Sequence, residues 1–213
     1  MATIILMRHG ETVANIAQIY QGQGNSPLSN SGEIQAEMTG KFLKNTKIDA
    51  VYCSDLTRSF DTAAVIAKHH KNLRPKALKA LRERYYGCWE GLRFDEIERK
   101  YGKLYKKWHK SPNSARIPGA ETLKELQKRA VTAIKGLMKR HRGQTILIVG
   151  HGGINRTILF HFLEMDLNNF WKIKQDNCCI NIIEPGSKGH KVSLLNSSCF
   201  LGELRLKKRD VLA

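Results

Sequence analysis

Thr145-Ile146-Leu147-Ile148-Val149-Gly150-His151-Gly152-Gly153 is the stretch on which the fold turns. Its first five residues are aliphatic or β-branched with no polar alternation, the pattern of a strand buried on both faces, and the glycines then stop it. Thr3-Ile4-Ile5-Leu6-Met7 repeats the pattern and ends in Arg8-His9-Gly10. Ile48 to Cys53 reads as a third strand, and Ile180 to Glu184 and Lys191 to Leu195 as late ones. Helical spacing supplies the connections. Asn30 reads as a helix cap with Glu33 three residues on, and Ile34, Met38, Phe42 and Leu43 continue that helix. Further helices are predicted from about Thr57 to His70, Glu121 to Arg142 and Ile154 to Leu163. Strands alternating with helices predict an α/β fold around a largely parallel sheet. The segment Tyr85 to Pro118 breaks the rhythm with Trp89, Trp108, several glycines and two prolines. It reads as an insertion that forms a lid or one wall of a pocket, with both tryptophans as packing residues. Cys178-Cys179 reads as buried strand.

The 213 residues suit one domain spanning 1–213, and 41% hydrophobic content builds a core that a disordered chain could not. No stretch approaches the roughly 18 to 20 apolar residues of a membrane-spanning helix. The N-terminal apolar run is short and has no basic region before it, so a cytoplasmic protein is expected. Five cysteines without a CxxC pair indicate neither a zinc site nor a disulfide framework. Lys plus Arg number 36 against 19 Asp plus Glu, a formal charge of +17. Such a balance suits nucleic acid or small anionic substrates. The cations, such as Lys106-Lys107, Lys139-Arg140 and Lys207-Lys208-Arg209, are spread along the chain. No helix-turn-helix, RNA-binding aromatic signature or zinc finger accompanies them. A nucleic-acid partner is therefore not expected, although a non-enzymatic basic nucleic-acid-binding protein stands as the second alternative. No membrane partner is expected, and a homodimer is left open.

His9 and His151 each lie in a glycine turn just after a strand. In open α/β sheets ligands gather beyond the carboxyl ends of strands. The two histidines are thus expected to meet there, with Arg8 beside them and glycines that let a ligand approach the backbone.

The run Leu6-Met7-Arg8-His9-Gly10-Glu11-Thr12, with Asn15 beyond, resembles the signature of the histidine phosphatase, or phosphoglycerate mutase-like, superfamily. The resemblance continues through Gln21-Gly22, Pro27-Leu28-Ser29 with Gly32, and Tyr52-Cys53-Ser54-Asp55-Leu56-Thr57-Arg58-Ser59. Leu81-Arg82-Glu83, Gly87-Cys88-Trp89-Glu90-Gly91, Pro118-Gly119-Ala120-Glu121-Thr122 and Gly150-His151-Gly152-Gly153 complete it in family order. It implies a three-layer α/β/α fold of phosphoglycerate mutase-like type, with segment 85–118 as a small helical, lid-like insertion near the active site.

It also implies phosphoryl transfer through a phosphohistidine on His9. Arg8, Arg58 and His151 would bind the transferring group, since guanidinium forks match phosphate oxygens and need no metal ion. Glu83 would protonate the leaving oxygen and then activate water. Asn15, Gln21, Gly22 and Gly152 would complete the substrate-binding set, and neither metal nor cofactor is expected. The short chain and the Gly87-to-Gly91 element look like the phosphatase branch, near broad-specificity, α-ribazole and metal-independent phosphoserine phosphatases. A phosphomonoester phosphatase acting on a small phosphorylated metabolite is the favoured reading, with a cofactor-dependent phosphoglycerate mutase as the alternative. Phe200 stands where the phosphoserine group tends to carry histidine, which weighs against a strong preference for phosphoserine if the tail lines the pocket.

Overall fold

In a computed structural model, which describes residues 1–187 and 189–205, six strands form one sheet in the order β3-β2-β4-β1-β5-β6. The chain runs β1 (Thr3–Arg8), the short helix α1 (Val13–Ile16), α2 (Asn30–Leu43), β2 (Ala50–Cys53), α3 (Thr57–Ala67) and β3 (Pro75–Ala77). It continues through α4 (Phe94–Lys110), α5 (Leu123–Arg140), β4 (Thr145–Gly150), α6 (Gly152–Phe162), β5 (Ile180–Gly186) and β6 (Gly189–Ser197). The pairs β3–β2, β2–β4 and β4–β1 are parallel, while β1–β5 and β5–β6 are antiparallel. The sheet is thus mostly parallel, as the sequence predicts.

Side-chain alternation divides the core into two layers. Ile4, Leu6, Tyr52, Ile146 and Ile148 face one side, against Leu126, Ala130 and Ile134 of α5 and Ile154 and Ile158 of α6. Ile5, Met7, Val51, Cys53, Leu147 and Val149 face the other, against Leu43 of α2 and Ala63 and Ile66 of α3. Both faces of each central strand are covered, which is why those runs carry no polar alternation.

Several local expectations need correction. The cap of α2 is Ser29, whose hydroxyl accepts from the Gly32 amide at 3.0 Å; Asn30 is already helical. Helix α3 stops at Ala67, three residues short of the predicted His70. Helix α6 starts at Gly152, so two glycines belong to its first turn rather than to a preceding loop. Cys178 and Cys179 are buried but form a turn before β5, with Cys178 at φ +53°, because the Cys178 amide reaches back to the His9 carbonyl at 3.2 Å. Lys207-Lys208-Arg209 lie outside the described residues. Among the described residues, no helix is long and apolar enough to cross a membrane.

Segment 85–118 holds α4 and packs its aromatic residues into the layer shared with α5 and α6. Trp89 and Trp108 are fully buried there, as packing residues. Tyr20 makes edge contacts with Tyr86, Trp89 and Phe94, and its hydroxyl accepts from Trp108 Nε1 at 3.2 Å. Backbone bonds from Tyr20 to Leu92 and from Gly91 to Tyr20 fix the segment to the loop after α1.

Candidate active site

Parallel pairing places Arg8 opposite Gly150, so His9 and His151 each emerge one residue past the same rung of the ladder. The His9 amide donates to the Gly150 carbonyl at 3.1 Å, and the two imidazoles meet edge-on with centroids 5.1 Å apart. The sequence expectation that these turns converge is met by register.

His9 has a defined tautomer. Its Nδ1 lies 2.7 Å from the Gly10 carbonyl, which only accepts, so Nδ1 carries the hydrogen. Arg58 Nε, which only donates, points at His9 Nε2 from 3.2 Å, so Nε2 presents its lone pair. Burial holds the His9 pKa well below its ordinary value, with Arg58 and Arg8 adding repulsion of a charged ring and the Gly10 carbonyl opposing. Burial likewise lowers His151, followed by Arg58, His9, Arg8 and Arg129. Among the described residues neither His151 ring nitrogen has a hydrogen-bond partner.

Arg8 and Arg58 are both about 1% exposed, yet each is anchored. Arg8 donates to the Gln175 carbonyl at 2.7 Å. Arg58 donates to the carbonyls of Gly24 at 2.8 Å and Gly22 at 2.7 Å, and burial brings its pKa down to about 10, leaving it a cation at neutral pH. The loop bearing those carbonyls is held in turn by Glu90, whose carboxylate accepts from the amides of Gln23 and Tyr86 at 2.8 and 3.0 Å. Gly22 sits at φ +52° directly against that carboxylate, where any Cβ would collide.

Glu83, only 6% exposed, is seated by backbone amides. Its Oε1 accepts from Arg84 at 2.7 Å and Ile154 at 2.9 Å, and its Oε2 accepts from Gly153 at 2.7 Å. Two of these amides belong to the first turn of α6, where N–H groups have no acceptor within the helix.

Arg8, His9, Gln21, Gly22, Arg58, Glu83 and Gly152 line one cavity, with Ile19, Tyr20, Tyr86 and Phe94 as its apolar wall. His151 is fully buried, with its ring edge-on to that of His9. Gln21 Oε1 is buried and, among the described residues, has no protein partner. Asn15 is placed differently: its amide oxygen accepts from the amide and hydroxyl of Thr12, closing a capping box at α1, and it does not line the cavity. Phe200 stacks on Phe42 of α2 at 4.4 Å and is likewise not among the lining residues. Sequence reasoning missed Glu90, Arg129, Gln175 and Asn177, whose amide donates to the His9 carbonyl at 3.1 Å. Glu90 alone had a local signal, the acidic residue between Trp89 and Gly91. Among the described residues no group of three or more His, Cys, Asp or Glu side chains is placed to hold a metal ion.

A family model described as histidine phosphatase superfamily (branch 1) matches residues 4–198. Phosphoserine phosphatase 1 of Hydrogenobacter thermophilus is 31% identical over 203 residues, covering 95% of this chain and 96% of that protein. Adenosylcobalamin/alpha-ribazole phosphatase of Escherichia coli is 28% identical over 192 residues, covering 90% and 94%. The solved structure of Bacillus stearothermophilus YhfR superposes with a TM-score of 0.90 at 28% identity, covering 94% of this chain and all of that one.

Proposed function

The chain belongs to the histidine phosphatase superfamily, and from that premise we propose that it hydrolyses small phosphomonoesters through a phosphohistidine on His9. The observation that carries this reading is the His9 tautomer: Nδ1–H is tied to Gly10, and the Nε2 lone pair is left for phosphorus. On substrate binding Arg58 Nε turns from Nε2 to a phosphoryl oxygen, and Arg8 and His151 take the others. Nε2 attacks phosphorus, the bond to the leaving oxygen breaks, and Glu83 delivers a proton to that oxygen. Water then attacks the phosphohistidine while Glu83 takes its proton; the P–N bond breaks and neutral His9 returns. Gln21, Gly22 and Gly152 complete the phosphate and substrate contacts. Asn15 acts through the N-terminal loop rather than by touching phosphate.

The phosphatase relatives favour hydrolysis over the mutase reaction. Their substrates, phosphoserine and α-ribazole phosphate, define the class to screen. Residues 1–213 work as one domain in this reading. Segment 85–118 serves as a fixed wall rather than a swinging lid, a reading supported by its aromatic residues lying in the main core. A reduced, cytoplasmic setting fits the five free cysteines. Rapid quenching with a 32P-labelled monoester tests the proposal. The wild type should trap an acid-labile, base-stable phosphate that His9→Ala lacks, and equal labelling of the two proteins rejects it.

A further inference from the structure

The residues that carry Glu83 have no regular structure: positions 82–86 belong to neither helix nor strand. The carbonyls of Ala80, Arg82 and Glu83, on and just before this strip, take their donors from a single side chain of another element. Arg129 of α5 donates from one terminal nitrogen to the carbonyls of Ala80 and Arg82 at 3.0 and 2.8 Å. The other terminal nitrogen donates to the carbonyl of Glu83 itself at 2.8 Å and to Glu121 Oε2 at 2.9 Å. Nε completes the set on Glu121 Oε1 at 2.6 Å. All five guanidinium hydrogens therefore have an acceptor, three of them on the strip that ends at Glu83. Glu121 closes the frame from its backbone: its carbonyl accepts from Arg84 Nε at 2.7 Å and its amide donates to Tyr85 at 2.9 Å.

We propose that Arg129 is a positioning residue for proton transfer: it fixes the backbone of 80–83 so that the Glu83 carboxyl meets the leaving oxygen and, later, water. The inference rests on the role given to Glu83 above. Arg129 does not line the cavity, and its role toward Glu83 is geometric. Lysine has a point charge and three donors, so it cannot reproduce a planar fork serving five acceptors. A carboxyl displaced by a fraction of an ångström loses proton-transfer efficiency, which matters most for leaving groups that depart poorly.

The test is the leaving-group dependence of phosphoenzyme formation in Arg129→Lys, with Glu83→Gln as reference and thermal melting in parallel. With β-glycerol phosphate the single-turnover rate should fall by about tenfold or more, within the range a general acid contributes. With p-nitrophenyl phosphate it should change by less than about threefold, and KM should stay near wild type for both. Glu121→Gln, which keeps the three carbonyl bonds but weakens the frame, should show a smaller effect of the same kind and serves if Arg129→Lys does not fold. Parallel losses on both substrates that track a lowered melting temperature overturn the proposal, because a merely structural arginine predicts them. If Glu83→Gln shows the leaving-group dependence and both frame variants lack it, only the role of Arg129 fails. If Glu83→Gln lacks it as well, or the wild type forms no acid-labile phosphoenzyme, the underlying reading fails and this inference with it.

Discussion

Replacing Gly153 by alanine adds one methyl group at the seat of Glu83, the proposed general acid. Gly153 lies in the first turn of α6 and has helical backbone, so the substitution meets no conformational penalty of its own. Alanine there should favour the helix by about 0.5–1 kcal/mol over glycine. The added Cβ, however, would lie 2.6 Å from Glu83 Oε1, 3.1 Å from its Cδ and 3.2 Å from Oε2. Ordinary contact begins near 3.4 Å, so the carboxyl must move by most of an ångström. It cannot move without stretching its bonds to the amides of Gly153, Ile154 and Arg84. A hydrogen bond to a charged group contributes about 1.5–3 kcal/mol, so weakening one outweighs the helix gain and leaves a net loss of about 1–2 kcal/mol. The protein stays folded with the proposed acid misplaced. Because general acid catalysis contributes about 10²–10⁴-fold, phosphoenzyme formation from β-glycerol phosphate should slow by about 10²-fold. With p-nitrophenyl phosphate, whose leaving group departs unaided, the loss should stay below about tenfold. Quench-flow measurement of the two rates checks this, with Glu83→Gln as background: there Gly153→Ala should add little further loss on the alkyl ester. Equal losses on both substrates, or the same additional loss in the Glu83→Gln background, would refute the seating argument.

Three further outcomes follow from the same geometry. Burial first, and the arginines next, keep His9 and His151 from binding protons that the unfolded chain takes up near pH 6.5, so stability is fully present above about pH 6.5 and falls as the pH drops below it. Each histidine contributes up to about 1.4 kcal/mol per pH unit, and urea midpoints at pH 7.5, 6.5 and 5.5 should decline in that order; a flat profile contradicts the assignment. The cavity presents two arginines, and no cluster of metal-ligating side chains exists among the described residues, so activity on p-nitrophenyl phosphate should survive excess EDTA. Loss of that activity and its return with magnesium or zinc would overturn the arginine-based mechanism. Phe200 stacks on Phe42 outside the cavity, so Phe200→Ala should lower the melting temperature while leaving the ratio of kcat/KM for phosphoserine to that for other small esters within about twofold, less than about 0.5 kcal/mol. A larger change in that ratio would place the side chain at the substrate.

The amino-acid sequence by itself determined the elements whose signal is local. Two aliphatic runs closed by Arg8-His9-Gly10 and Gly150-His151-Gly152 are strands buried on both faces, because both core layers need apolar residues from each. It also brought most of the candidate site into view, since Arg8, His9 and His151 sit at strand ends, in short stretches that stand out. Its errors were of the same local kind. Ser29 and Asn30 are both good caps, and only the reach of the Ser29 hydroxyl to Gly32 decides between them. Gly152 and Gly153 read as the turn that stops the strand, yet they form the first turn of α6, with Glu83 standing where a Cβ on Gly153 would collide. What tertiary structure alone decided is how the charges are held. The Arg8–Gly150 register, the Arg58 bonds to Gly22 and Gly24, and the Arg129 frame around Glu83 join residues 34 to 142 positions apart. A guanidinium that serves carbonyls of a short turn and the irregular residues after it leaves no periodicity behind, so Arg129 looks in the sequence like any other cation of a +17 chain. Only when the strip from 80 to 83 folds back against α5 do its five donors find five acceptors.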